Sequence, residues 1–136
     1  MPFMVWNDRI SVGVSSIDAD HKKMVGMINE LFDAVVAGEG RNKLNDLLDH
    51  LVDYTRYHFA REEKILARTR YPDAAAHKRE HAEMRAWMDT AWHRYRNSAT
   101  SAPSLEVMIY LKGWLLDHIL GSDQKFASHM KAHHIR

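Results

Sequence analysis

The chain contains no cysteine. Thiolate catalysis, redox disulfides and cysteine-held iron–sulfur clusters are therefore excluded, and any bound metal must be held by nitrogen and oxygen. No charge of one sign predominates, with 19 basic against 18 acidic residues and a formal net charge of +1. That balance offers no electrostatic footprint for nucleic acid or an anionic membrane, so neither is expected as a partner. No apolar run reaches the roughly 18 residues of a membrane span. The opening MPFMVWNDRISVG lacks the basic segment and apolar stretch of a secretion signal, so a cytoplasmic location without membrane insertion is expected. Strand-like alternation, internal repeats, low-complexity segments and linkers are also missing. A chain of 136 residues with these properties is expected to be one domain.

What is abundant is histidine, ten in all. Their placement follows the helical repeat. Apolar periodicity predicts four helices, each with a seam recurring at steps of three and four. The first, about Ala19 to Ala37 after an expected Asp18 cap and before Gly38, has the seam His21, Met24, Ile28, Leu31, Val35. The second, about Arg41 to Ala67, has Leu44, Leu48, Leu51, Thr55, His58, Glu62, Ile65. The third opens after Pro72 and Asp73 and carries Ala74, His77, His81, Met84, Met88, Ala91, Tyr95. The fourth follows the loop NSATSAPS, with Pro103 expected in its first turn, and carries Leu105, Met108, Leu111, Leu115, His118. Short connections between long helices favour antiparallel neighbours, so the expected fold is an all-α, up-down-up-down four-helix bundle. Residues 1–17 read as an extended arm whose Phe3, Val5, Trp6 and Ile10 pack on the bundle. The bundle spans about 18–125, and 126–136 read as a frayed tail.

The seams set His21, His58, Glu62, His77, His81 and His118 among Leu, Met, Ile and Ala, which aims them inward. Burying several imidazoles and a carboxylate without partners costs a few kcal/mol each, against a total stability of roughly 5–15 kcal/mol. Metal ligation removes that cost. Asp123 lies five residues after His118, about 140° away on a regular helix. A π-type turn would bring the two into line. HILGSD is therefore expected to contain a local widening, eased by Gly121, that adds Asp123 to the site. His50, His93, His129, His133 and His134 lack partners at ligand spacing and are expected on the surface. Glu63 and Glu80 point about 100° away from the adjacent ligands and are expected in solvated ion pairs rather than as ligands.

The pattern His21, His58-x-x-x-Glu62, His77-x-x-x-His81, His118-x-x-x-x-Asp123 resembles the hemerythrin family, in particular its single-domain bacterial members. The likeness runs from VWNDRISVGVSSIDADHKKM to WLLDHILGSD. It implies a non-haem di-iron site: His77, His81 and His118 on one iron, His21 and His58 on the other with an open position, and Glu62, Asp123 and an oxo or hydroxo group bridging the two. Asp20 stands where many relatives have Gln, and Ile65 and Leu66 where Met is common. Neither departure is expected to touch a ligand.

The donor set alone fits a di-iron or di-manganese pair better than one four-coordinate zinc. Compared with carboxylate-rich di-iron bundles, acids have been replaced by histidines, which suits holding O2 rather than cleaving it. The resemblance implies reversible O2 binding, for transport, storage or delivery, with an oxygen-consuming enzyme as a candidate partner. The alternative is a di-iron oxidase, peroxidase or nitric-oxide-handling enzyme on the same ligands. Leu111, Trp114 and Leu115, with Ile119 and Phe59 beside ligands, are expected to keep water from the open position.

Overall fold

The structure, a computed structural model, describes residues 2–98 and 102–135. Four long helices form an antiparallel bundle: α1 (Ser15–Val36), α2 (Arg41–Thr69), α3 (Ala74–Asn97) and α4 (Leu105–His118). A π-helical turn (Ile119–Asp123) follows α4 and leads directly into α5 (Gln124–Ala132). Positions 99–101 of the α3–α4 loop lie outside the described residues.

Layers of the bundle explain how the seams meet. His21, His58, His81 and His118 form one buried layer. One turn away lie Met24, Thr55, Met84 and Leu115, and a further turn away Ile28, Leu51, Met88 and Leu111, all buried. Numbering rises along α1 and α3 and falls along α2 and α4 through these layers, as antiparallel alternation requires. In the opposite direction the next layer is Ile17, Glu62, His77 and Asp123. Steps of four residues separate it from the histidine layer on the first three helices. On the fourth the step is five, and the π turn absorbs the extra residue.

Several boundaries differ from expectation for local reasons. The first helix begins at Ser15 rather than near Ala19, and Asp18 does not cap it. Its carboxylate instead accepts hydrogen bonds from the Ser11 hydroxyl at 2.5 Å and the Val12 N–H at 2.8 Å, tying the arm to α1. Ser104 rather than Pro103 directly precedes α4, so the proline lies outside its first turn. The first helix stops where Gly38 takes φ +71, and Glu39 N–H returns to Ala34 O at 3.1 Å. Arg70 ends α2 in the same left-handed region at φ 54, where its N–H and that of Tyr71 cap Ala67 O and Leu66 O. Such conformations satisfy carbonyls that a helix end would otherwise leave orphaned.

In the arm, Phe3 stacks on Phe32 at 4.1 Å, and Met4 exchanges two backbone hydrogen bonds with the Asn29 amide. Ile10, Val12 and Val14 are buried, whereas Val5, expected to pack, is 49% exposed. The expected tail is also corrected: α5 continues to Ala132 and buries Phe126, Ala127 and Met130. The π turn restores their phase toward the core. His129 is accordingly half-buried and donates from Nε2 to Thr69 O at 2.9 Å, rather than lying free on the surface.

Candidate metal centre

All seven sequence-predicted ligands converge, and each is buried. They fall into two groups that share one carboxylate: Glu62, His77, His81, His118 and Asp123 in one, His21, His58 and Glu62 in the other. The carboxylate oxygens divide between these sides. Glu62 Oε1 lies 3.1 Å from His77 Nε2 and 3.2 Å from His81 Nε2, while Oε2 lies 2.8 Å from His58 Nε2 and 3.9 Å from His21 Nε2. Asp123 Oδ1 is 3.1 Å from both His77 Nε2 and His118 Nε2, while Oδ2 is 3.1 Å from His21 Nε2. Each acid therefore straddles a three-imidazole side and a two-imidazole side.

Spacing and protonation together test whether metal fits. With metal–ligand bonds of about 2.0–2.2 Å, two donors at right angles around an ion sit about 3 Å apart, close to the distances found. His81 Nε2 and His118 Nε2 are 3.2 Å apart. Both rings turn Nδ1 to a carboxylate, His81 to Glu63 at 3.3 Å and His118 to Glu80 at 3.0 Å. With the ring proton on each Nδ1, two nitrogen lone pairs face each other, which a cation between them would stabilise. Among the described residues, the buried atoms without a hydrogen-bond partner include both His21 nitrogens, Glu62 Oε2 and both Asp123 oxygens. Orphaned buried polar atoms are rare in folded proteins. Concentrated here, they fit a metal pair.

Without metal, the site balances its own charge. Burial pushes the Glu62 carboxyl up, but the His58 charge and the nearby imidazoles of His58, His77 and His81, each within 3.2 Å, hold it well below the usual range. Burial and the Glu62 charge likewise oppose ionisation of Asp123, yet His118, His21 and His77 keep it ionised. Burial disfavours protonated His58, but the Glu62 charge, the hydrogen bond to Asp20 and the closeness of Glu62 prevail and push it up to about 10. His77, also opposed by burial, is raised to about 9 by Asp123 and Glu62. His81 is pushed down by burial, which outweighs its hydrogen bond to Glu62, with His118 and His77 adding to the depression. Protons on imidazoles thus stand where metal charge would be.

Three carboxylates missed as site residues act on the outer face of the rings. Glu63 also pairs with Arg85 at 2.8 Å, the ion pairing expected of it, and Glu80 receives the Ser122 hydroxyl at 2.5 Å. Asp20, expected to touch no ligand, accepts from His58 Nδ1 at 2.8 Å. It also accepts from the Tyr54 hydroxyl at 2.9 Å and from Arg61 at 3.1 Å. A position about 100° off the inward seam still faces a neighbouring helix in a bundle. The sequence signal was the adjacency itself: Asp20–His21, Glu62–Glu63 and Glu80–His81 each pair an acid with a candidate ligand.

Access to the two sides of the site differs. A cavity of about 20 Å³ is lined by the eight residues of the two layers beyond the histidines, with Phe59 and Trp114. Four of the five expected pocket residues, Phe59, Leu111, Trp114 and Leu115, are in its wall, whereas Ile119 is fully buried elsewhere. Its hydroxyl, that of Thr55, is directed to Leu51 O at 2.7 Å, so the wall is effectively apolar. Phe59 stacks on His81 at 3.9 Å and Trp114 on His118 at 4.6 Å. A separate polar cleft lined by Asp73, Glu80, Ser122 and Lys125 reaches His77.

The hemerythrin HHE cation binding domain, as a family description, matches residues 12–130. A bacteriohemerythrin of Stenotrophomonas maltophilia is 37% identical over 133 residues, covering 98% of this chain and 85% of its own length. A bacteriohemerythrin of Pseudomonas aeruginosa is 34% identical over 123 residues, covering 90% of this chain and 78% of its own. The crystal structure of a wild-type hemerythrin superposes with a TM-score of 0.89 at 26% identity, over 94% of this chain and 98% of that one.

Proposed function

Given that this chain belongs to the hemerythrin family, we propose that it binds O2 reversibly at a pair of non-haem irons. His77, His81 and His118 would hold one ion, His21 and His58 the other, and Glu62 and Asp123 both. When bound, the pair supplies two one-electron reductants and, by donor count, one open position on the two-imidazole side. The observation that carries the reading is the division of each buried carboxylate between the two imidazole groups, with an apolar cavity one layer away.

The chain's own residues favour holding O2 over turning it over. Glu62 and Asp123 would both be taken up in holding the ions, which would leave, among the described residues, no carboxylate inside the site to deliver protons. Met24, Thr55, Met84 and Leu115, all buried, form the layer of the cavity wall next to the histidines. An apolar cavity of about 20 Å³ admits a diatomic and gives water no partners. Delivery to an oxygen-consuming enzyme is the partner role this reading offers.

The test is anaerobic reduction of the iron-loaded protein followed by an O2 titration with optical detection. A carrier regains its starting spectrum on deoxygenation over repeated cycles. Continuous consumption of O2 with a reductant would instead support the oxidase, peroxidase or nitric-oxide-handling alternative.

A further inference from the structure

The two-imidazole half of the site has an imbalance that its ligands alone do not explain. On the three-imidazole side, His81 and His118 are each fixed from behind by a glutamate, and His77 packs edge-on against both at 4.7 and 4.9 Å. On the other side, His21 has no hydrogen-bond partner at Nδ1. Only His58 is anchored there, and its anchor is the sole one of the three outer carboxylates that is itself buried, Asp20 at 4% exposure.

We infer that Asp20 is a positioning residue for the two-imidazole half of the centre, clamping His58 through Nδ1 so that Nε2 faces the metal position. A histidine ring can rotate about χ2 and exchange its two nitrogens. A hydrogen bond from Nδ1–H to Asp20 Oδ2 at 2.8 Å selects one ring orientation and keeps a proton on Nδ1, so that Nε2, which faces Glu62, is the nitrogen freed when a metal replaces its proton. Tyr54 and Arg61 hold the carboxylate in turn. Because Asp20 and His21 are consecutive on α1, one dipeptide supplies a ligand directly and orients a second across the α1–α2 interface. That compensates for α1 contributing a single ligand of its own.

The carboxylate has a second effect through its charge. An anionic acceptor behind an imidazole makes the ring a stronger donor to metal, which favours the more highly charged metal state. An amide of the same shape would keep the acceptor and remove the charge. The two contributions are therefore separable.

This inference rests on the paired-metal reading, and the experiment keeps the two apart. Parent, Asp20→Asn and Asp20→Ala proteins are loaded with ferrous iron, and three quantities are read: iron per chain, release of iron to a competing chelator, and the reduction midpoint of the pair. Asp20→Ala should release its more weakly held iron roughly 10–100-fold more readily than the parent, tending toward one iron per chain. Asp20→Asn should keep both irons but show a midpoint moved to more positive potential, a shift that a purely structural role would not produce. If Asp20→Asn releases iron and titrates redox-wise like the parent, and Asp20→Ala does too, the inference is overturned while the paired-metal reading stands. Fewer than two irons in the parent overturns both. Should Asp20→Ala fail to fold, the isosteric Asp20→Asn midpoint alone decides, an unchanged value refuting the charge effect.

Discussion

Deleting Leu120 should leave the metal centre intact, although the deletion falls inside the segment that places a ligand. The argument is one of phase. On a regular helix, five residues advance the side chain about 500°, which leaves Asp123 about 140° from His118; four residues advance it about 400°, leaving about 40°. The π turn of Ile119–Asp123 carries one more residue than a regular turn would and so recovers that discrepancy. Removing one residue from it should let the backbone close as ordinary α-helix, with the aspartate now four residues after His118, the spacing His58 and Glu62 already use. Leu120 is the residue to remove, because it is 50% exposed whereas Ile119 and Asp123 are buried. Phe126 and Met130 of α5 should keep their inward faces, since they lie beyond the turn. The comparison is deletion of Lys112 within α4, where no spare residue exists and one half of the helix rotates about 100° against the other. Ligand positions must hold to about 0.2 Å, so that protein should lose its metal. Iron per chain after anaerobic reconstitution, with far-ultraviolet circular dichroism as a folding check, reads both. A Leu120-deleted protein that is helical but iron-free would refute the phase argument.

Leu115→Ala enlarges an existing apolar cavity, so it should cost about 2–5 kcal/mol and lower Tm by roughly 10–20 °C, while the oxygenated form decays several times faster at fixed pH; equal decay in a folded, iron-loaded variant would clear Leu115 of that role. His77→Ala should lower metal content and Tm together, and a 100-fold weaker metal dissociation constant alone removes up to about 2.7 kcal/mol, whereas His93→Ala should change neither in the same melting and elemental assays. In chelated protein, His58 and His77 are raised from 6.5 to about 10 and about 9. Their contribution to stability is therefore complete below about pH 6.5 and lost as pH rises through 9–10. Melting of the chelated form across that range should show the decline, and a flat profile would contradict it.

The inward register of six candidate ligands was legible because a helix repeats every 3.6 residues. His21, His58, Glu62, His77, His81 and His118 each interrupt an apolar series, and the interruption is visible without any knowledge of neighbours. Asp123 was legible only by adding a backbone distortion, for which the five-residue interval and Gly121 were the available signs. The outer carboxylates were not legible in the same way. Asp20, Glu63 and Glu80 sit at positions that face solvent on an isolated helix, and only the packing of the next helix turns them into hydrogen-bond acceptors. The buried helix α5 escaped notice because Phe126 and Met130 fall off the seam of α4 when it is extended at regular pitch, and only the π turn brings them back into phase with the core.

The sequence by itself determined the four helices of the bundle, their antiparallel order, the nitrogen-and-oxygen donor set and the inward-facing residues of those helices, since these follow from periodicity, connection length and residue chemistry. Tertiary structure decided what no single helix can specify. Which oxygen of Glu62 faces which imidazoles, where an apolar void remains between layers, and that Asp20 on α1 grips His58 on α2 are relations across helices. Each depends on the axial offset and rotation at which the helices pack, quantities that the pattern along any one of them leaves free.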